Sequence, residues 1–289
     1  MARRVRGQTN HVLALDEAAR WREATSTRDA DPVGCVSFNY DTLLERAVYR
    51  VHGERLSTLE EFVGGDAVRV YKPHGSVEWR QRARWDMNEM APADEAIHWA
   101  IDAANVLRWE EEYSIEDPDD PDHYQEAEDP RTLWLPALAI PARRKAAFTM
   151  PAAHMQALRT DLAKVTIVVA VGWRAREQHF LALPKCMPHG AAELVVVAES
   201  EMSAQATTDA LWSTGRFRRY ALASNGFSNF AKPTAHGSTA TGGLTFRDVL
   251  TGEDDMWTMR DPGQPEPMTI LEPEDAAVDP NEYRDFGAS

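Results

Sequence analysis

The chain of 289 residues has only two cysteines, Cys35 and Cys186, and they form no Cys-x-x-Cys pair. Two thiols cannot build a four-cysteine structural zinc site, nor a framework of several disulfides. Two buried thiols in a reducing cytoplasm are the simplest account. Long apolar runs are also missing. The longest, Val165 to Val171, is far shorter than the ~20 residues a helix needs to cross a bilayer. Met1-Ala-Arg-Arg-Val-Arg is basic, but no apolar segment of a secretory signal follows it. The expected location is cytoplasmic, with no membrane partner. A basic surplus is absent too: 31 Lys and Arg stand against 46 Asp and Glu, a net charge of −15. No helix carries a basic stripe, which disfavours nucleic acid as a partner.

The acidity is unevenly spread. Residues 110–130 contain eleven acids and no Lys or Arg, and residues 251–289 contain eleven acids and two Arg. The remainder has 24 acidic and 29 basic residues, a net of +5. A mildly basic body with two acidic appendages suits an anionic ligand such as a dinucleotide, although charge alone does not select one.

What is present is an alternation of short apolar strands with helices. Residues 10–25 read as a helix, with Val12, Leu13, Leu15, Ala18, Ala19 and Trp21 on its apolar stripe and Thr9 or Asn10 as cap. Val33 to Phe38 read as a buried strand after Asp31-Pro32, and residues 41–49 as the helix that follows. The Asp41 carboxylate can accept there from free N–H groups of the first turn. Val68 to Lys72 form a second strand, ended by Pro73 and Gly75 on either side of His74. Val165 to Val171 does not alternate, so it is expected at the centre of a parallel sheet, buried on both faces. Ala192 to Ala198 is a second such strand, residues 202–213 a helix, and residues 216–222 a last strand. Residues 85–109 read as helical, and Asp117 to Asp122 as a solvated acidic loop. The resulting expectation is an α/β fold with a three-layer Rossmann-like parallel sheet over residues 1–232. It carries a helical and acidic insert at 80–132 and a disordered acidic tail at 233–289, within which Leu244 to Leu250 is a candidate short element.

Three strand ends carry polar or aromatic residues: Phe38-Asn39-Tyr40-Asp41, Lys72-Pro73-His74-Gly75-Ser76 and Val171-Gly172-Trp173-Arg174. In a parallel sheet all three open on one edge, the edge at which ligands bind. Asn39 offers both a donor and an acceptor there. A histidine, with an unperturbed pKa of ~6.5, can take up a proton at neutral pH.

In order and spacing, Ser37-Phe-Asn-Tyr-Asp-Thr-Leu-Leu-Glu45, Tyr71-Lys-Pro-His-Gly-Ser-Val-Glu-Trp79, Val171-Gly-Trp-Arg-Ala-Arg-Glu-Gln-His-Phe180 and Val195-Val-Val-Ala-Glu199 resemble the sirtuin-like family. The resemblance spans roughly residues 30 to 230. It is to the branch that lacks the zinc ribbon and occurs in bacterial NAD-consuming defence proteins. It implies a Rossmann-like site with NAD as substrate, no metal, and hydrolysis to nicotinamide and ADP-ribose, in a role such as antiphage defence. It places Asn39 and His74 at the reactive end as catalytic residues. Phe38 and Asp41 belong to the same site, Asp41 as helix cap or ribose contact. Gly172 lets the backbone approach the cofactor, Trp173 and Arg174 line the adenosine half, and Glu199 binds a ribose diol. Simpler roles exist for each: packing for Trp173, an ion pair with Glu177 for Arg174, a solvated helix start for Glu199.

One family element is missing. The glycine-rich phosphate-binding turn that precedes the Asn motif has no counterpart here, because the residues before Val33 read as helix. The expectation is an N-terminally incomplete fold: a first βα unit lies upstream of Met1, or else the phosphate cradle is lost and NAD binds poorly or not at all. The alternatives are a non-catalytic NAD or ADP-ribose sensor and an acidic-tailed adaptor on a degenerate fold. A homo-oligomer or a defence-system partner is compatible with either.

Overall fold

A computed structural model describes residues 9–24, 32–85, 107–115, 132–138, 148–175, 178–232, 243–252 and 256–259. Helix α1 (Asn10–Ala24) leads to strand β1 (Val33–Val36), helix α2 (Leu43–His52), the short helix α3 (Leu59–Gly64) and strand β2 (Val68–Tyr71). The start of α1 is capped by the Thr9 hydroxyl, which accepts from the Val12 N–H at 3.4 Å. The α3 start is a reciprocal capping box between Thr58 and Glu61. Strands β1 and β2 pair in parallel, with Val33 opposite Val68 and Val36 opposite Tyr71.

The next segment departs from the sequence expectation. Strands β3 (Gly75–Trp85), β4 (Leu107–Ile115) and β5 (Thr132–Leu138) form an antiparallel sheet in the order β4-β3-β5. The insert at 80–132 is therefore strand, not helix, wherever it is described; residues 86–106 and the acidic loop at 117–122 lie outside the described residues. The reason is a period of two. Trp79 and Ala83 are buried on one face of β3, while Arg80, Arg82 and Arg84 alternate with them. Arg82 pairs with Glu110 and Glu112 across the sheet, and Arg84 also reaches Glu110. Part of the acidic run is thus matched by cross-strand charge. Gly75, at the start of β3, has φ of +82°, and a Cβ there would sit 1.7 Å from the Ala137 carbonyl oxygen. Only glycine lets β5 approach the turn that carries His74.

Helix α4 (Ala152–Leu162), strand β6 (Ile167–Val171), helix α5 (Gln178–Leu181), a short 3-10 turn and strand β7 (Ala192–Val197) follow. Helix α6 (Glu201–Trp212), strand β8 (Phe217–Ala223), helices α7 (Phe227–Phe230) and α8 (Phe246–Thr251), and strand β9 (Thr258–Met259) complete the described chain. The sheet runs β6-β7-β8-β9, with the first three strands parallel and β9 antiparallel.

Two further expectations change. First, β7 rather than β6 is central: all six of its residues are buried, whereas Ile167 and Val171 at the two ends of β6 are exposed. An apolar run without alternation marks a strand meant for burial, but not its place in the order. Second, the tail from 233 is not uniformly disordered. Val249 and Trp257 are buried against β7 and β8, and the Arg219 guanidinium lies 4.6 Å over the Trp257 ring. The architecture is mixed α/β, with the parallel strands in two sheets and a separate antiparallel sheet between them in sequence.

Helices α1 and α4 tie the two parallel sheets together. Asn10 of α1 donates to the Ser228 hydroxyl at 2.9 Å, next to the end of β8, while α1 also packs on α2. Asp161 of α4 accepts from Arg69 at 2.8 Å and from the Tyr71 hydroxyl at 2.6 Å, both on β2. Burial, together with that carboxylate, pushes the Tyr71 phenol well above its ordinary range.

His154 of α4 yields a pH prediction. It is 2% exposed, its ring meets Trp79 at 5.4 Å, and its Nε2–H donates to the Leu59 carbonyl at 2.8 Å. Burial pushes the imidazole below the usual histidine value. The unfolded chain therefore takes up a proton that the folded state resists, so stability held above pH ~6.5 is lost as the pH falls further. Urea titrations at pH ~7.5 and ~5 should show a smaller acid loss in His154→Gln than in the parent. Identical losses would dismiss His154 as a contributor.

Candidate active site

The carboxyl end of β1 is pinned as a loop. The Asn39 N–H donates to the Ser37 hydroxyl at 3.3 Å, and the Tyr40 carbonyl accepts from the Val77 N–H at 3.0 Å. The Asp41 carbonyl accepts from the Lys72 ammonium. Helix α2 starts later than expected, with Thr42 rather than Asp41 at its N-cap and no side-chain cap there; Asp41 Oδ1 instead accepts from the Leu43 N–H at 3.0 Å in the turn that leads into the helix. The Asn39 and Asp41 side chains are exposed at the top of this loop.

His74 stands at the same end of β2, in a turn closed by Gly75 N–H donating to the Lys72 carbonyl at 2.9 Å. The Pro73 carbonyl accepts from the Thr149 N–H at 2.8 Å, which brings the segment before α4 alongside. His74 is only 4% exposed. Its ring lies 4.9 Å from Phe180, 5.8 Å from Phe38 and 6.1 Å from Tyr40, centroid to centroid. Phe38 also meets Trp173 at 5.3 Å and Phe180 at 4.3 Å. The reactive end proposed from sequence is therefore an aromatic cluster. Phe38, His74 and Trp173 are inside it, and Asn39 is on the loop between Phe38 and Tyr40.

Lys72 lies beneath this cluster. It is fully buried, with Nζ 2.6 Å from Glu45 Oε1 and 3.2 Å from Ser76 Oγ, in addition to the Asp41 carbonyl. One ammonium thus joins the Asn39–Asp41 loop, helix α2 and strand β3. Burial pushes the Glu45 carboxyl up, against the pull of Lys72. On β1, burial raises the Cys35 thiol to about 12.

At the end of β6, Gly172 has φ of +62° and Ala175 φ of +48°. A left-handed alanine that is 5% exposed is backbone strain held by its surroundings. The Trp173 carbonyl accepts from the Thr207 hydroxyl of α6 at 2.9 Å. Space is open at the Gly172 Cβ position, and Arg174 is exposed.

Glu199 lies apart from the aromatic cluster. It is exposed at the end of β7 and lines an open cleft of about 470 Å³ with Asn10, Asn225, Gly226, Phe227 and Ser228. The cleft sits where β7 and β8 end and α1 begins. Gly226, at φ of +76°, donates its N–H to the Ala198 carbonyl at 2.9 Å, which closes the cleft floor. His11 of α1 lies beside the cleft. Its ring is 5.5 Å from Phe227; burial lowers its pKa, and the Asp41 carboxylate acts in the opposite direction.

Sequence reasoning missed Asn10, His11, Lys72 and the Asn225–Ser228 turn. The Ser224-Asn225-Gly226 turn after β8 was a usable signal, being a fourth strand end with turn residues. Lys72 gave none, because a lysine before a proline reads as a surface residue. Among the described residues, no cluster of three or more His, Cys, Asp or Glu converges as metal ligands. Nor is any helix there long and apolar enough to cross a membrane. No protein-family model matches the chain, and no curated protein matches it.

Proposed function

We propose that the chain binds an NAD-type dinucleotide along the carboxyl rim of its parallel strands, in the manner of a sirtuin-like Rossmann fold, and hydrolyses it. The observation that carries this reading is that Asn39, His74, Gly172 and Glu199 all stand just beyond the carboxyl ends of parallel strands, β1, β2, β6 and β7. Ligands of open α/β sheets bind outside the carboxyl ends of the strands. In this reading the adenosine ribose meets Glu199, and the nicotinamide ribose reaches the Asn39 loop.

The reaction breaks the bond between the ribose anomeric carbon and the nicotinamide nitrogen. The bonding pair leaves with nicotinamide, which departs neutral and needs no general acid. Positive charge builds on the ribose, as in glycoside cleavage. A water oxygen then bonds to the anomeric carbon, and its proton passes to His74 and on to solvent. Asn39 orients that water, or a ribose hydroxyl, through its amide. Phe38 and Trp173 exclude bulk water from the reacting end.

Incubation of the purified protein with NAD should release nicotinamide and ADP-ribose in equal amounts, measured by chromatography. A second reading is favoured by one observation, the 4% exposure of His74. A base that a substrate does not reach leaves a nucleotide sensor. Calorimetric binding of NAD without nicotinamide release decides for the sensor, and absence of both binding and release refutes either reading. Under both, Glu199→Ala removes a charged hydrogen-bond acceptor for a diol and should weaken binding by about 10- to 100-fold. Unchanged affinity would move the adenosine half elsewhere.

A further inference from the structure

We infer that Lys72 is a positioning residue: its ammonium fixes the Asn39 loop relative to His74, and so governs turnover without touching substrate. The inference rests on the hydrolytic reading for what Asn39 and His74 do; the fixing itself is a property of the chain alone. Lys72 stands two residues before His74, and Asp41 two residues after Asn39. At one end, the Lys72 carbonyl accepts from the Gly75 N–H at 2.9 Å and closes the turn that carries His74. At the other end, Nζ donates to the Asp41 carbonyl. A single residue therefore holds both strand ends. A second tie to the loop comes from β3, where the Val77 N–H donates to the Tyr40 carbonyl at 3.0 Å. Helix α2 supplies no substitute for Lys72, because the Arg46 N–H goes to the Thr42 carbonyl at 3.0 Å, one residue past Asp41.

Stability alone does not account for a lysine here. Lys72 is 0% exposed, and lysine is almost never buried to that degree unless paired. Its three N–H groups meet Asp41, Glu45 and Ser76, which satisfies the ammonium. The carboxylate is served less well. Among the described residues, Glu45 Oε2 is buried and has no hydrogen-bond partner. A half-satisfied buried network is worse for stability than an apolar core. A methionine and a leucine fill similar space and often hold a fold as well as a buried ion pair does. They cannot hold the Asp41 carbonyl. What the ion pair adds over its apolar substitute is thus the bond to the Asn39 loop. That bond matters for chemistry, because Asn39 orients a water whose proton His74 takes, and a misplacement of about 1 Å costs about a hundredfold in rate.

The test is the full chain carrying Lys72→Met together with Glu45→Leu, compared with the parent in melting temperature, amide hydrogen exchange and NAD turnover. The melting temperature should stay close to the parent's. The Val77 amide, whose acceptor is on the loop, should exchange about 10- to 100-fold faster, the weight of one hydrogen bond to a charged group. The Val33 and Ser37 amides, bonded to Ala67 and Tyr71, should not change. The kcat should fall about a hundredfold with KM unchanged, because the Glu199 cleft is untouched. Glu45→Gln separates the two effects in the opposite sense. It keeps an acceptor beside Nζ and leaves the Asp41 bond in place, so it should lower the melting temperature yet retain Val77 protection and kcat. Unchanged Val77 exchange in the double variant would overturn the proposal, and so would a parent-like kcat there. A double variant far less stable than the parent would show that the pair serves the fold, and loss of kcat in folded Glu45→Gln would show that the charge matters rather than the bond to the loop. A parent that turns over no NAD refutes the hydrolytic reading instead, and Val77 exchange then still decides whether Lys72 holds the loop.

Discussion

Asn39→Ala and His74→Gln are each expected to lower nicotinamide release from NAD by at least about a hundredfold, the usual effect of losing a positioned base or its orienting partner. Asn39 gives the cleaner measurement. Its side chain is exposed, and the loop is held by the Asn39 N–H on the Ser37 hydroxyl and by the Val77 N–H on the Tyr40 carbonyl, neither of which uses the Asn39 side chain, so alanine leaves the fold intact. Turnover should fall while the melting temperature stays unchanged and NAD still binds, because Glu199 and the β8 turn are untouched. His74 sits within van der Waals reach of Phe38, Tyr40 and Phe180, so truncation to alanine would open a cavity as well. Glutamine keeps most of the volume and removes the proton acceptor. Retained turnover in both variants would eliminate the proposed hydrolytic roles.

Lys72→Met should cost about 3–5 kcal/mol at neutral pH, the range for removing one member of a buried ion pair. Lys72 is 0% and Glu45 8% exposed, and their charged atoms are 2.6 Å apart. Methionine fills the space but leaves the Glu45 carboxylate without its cation. Burial already pushes that carboxyl up, and loss of Lys72 pushes it further in the same direction. With a folded pKa above the unfolded one, its contribution is favourable below about pH 4.3 and is lost as the pH rises through the folded value. The difference between variant and parent should therefore shrink on acidification, measured by urea unfolding at pH ~7.5 and ~5. Adding Glu45→Leu should recover most of the loss, since a well-packed apolar pair replaces a buried ion pair at little cost. A deficit below about 1 kcal/mol, or one that grows in acid, would show that the pair does not hold the loop.

The strand ends were legible because each is announced locally. Short strand-forming segments stop at Asn39, at Pro73-His74 and at Gly172, and such boundaries need no tertiary information. The antiparallel sheet was not legible as a sheet. The alternation of Arg80, Arg82 and Arg84 with Trp79 and Ala83 was visible, but its partners lie across residues 107–115 and 132–138, at separations no local pattern encodes. The cleft was half legible. Glu199 follows a clear strand, whereas Asn10 and Ser228 come together from 218 positions apart in the chain.

By itself, the sequence determined that this chain forms parallel strands whose carboxyl ends carry Asn39, His74 and Gly172. Short strand-forming segments that alternate with helices, each ended by a turn residue, leave few other arrangements. Only the tertiary structure decided that those strands divide into two sheets, and that His74 lies under aromatic rings while Asn39 stands in solvent. The physical reason is that strand order and side-chain exposure depend on which distant segments supply hydrogen bonds and packing.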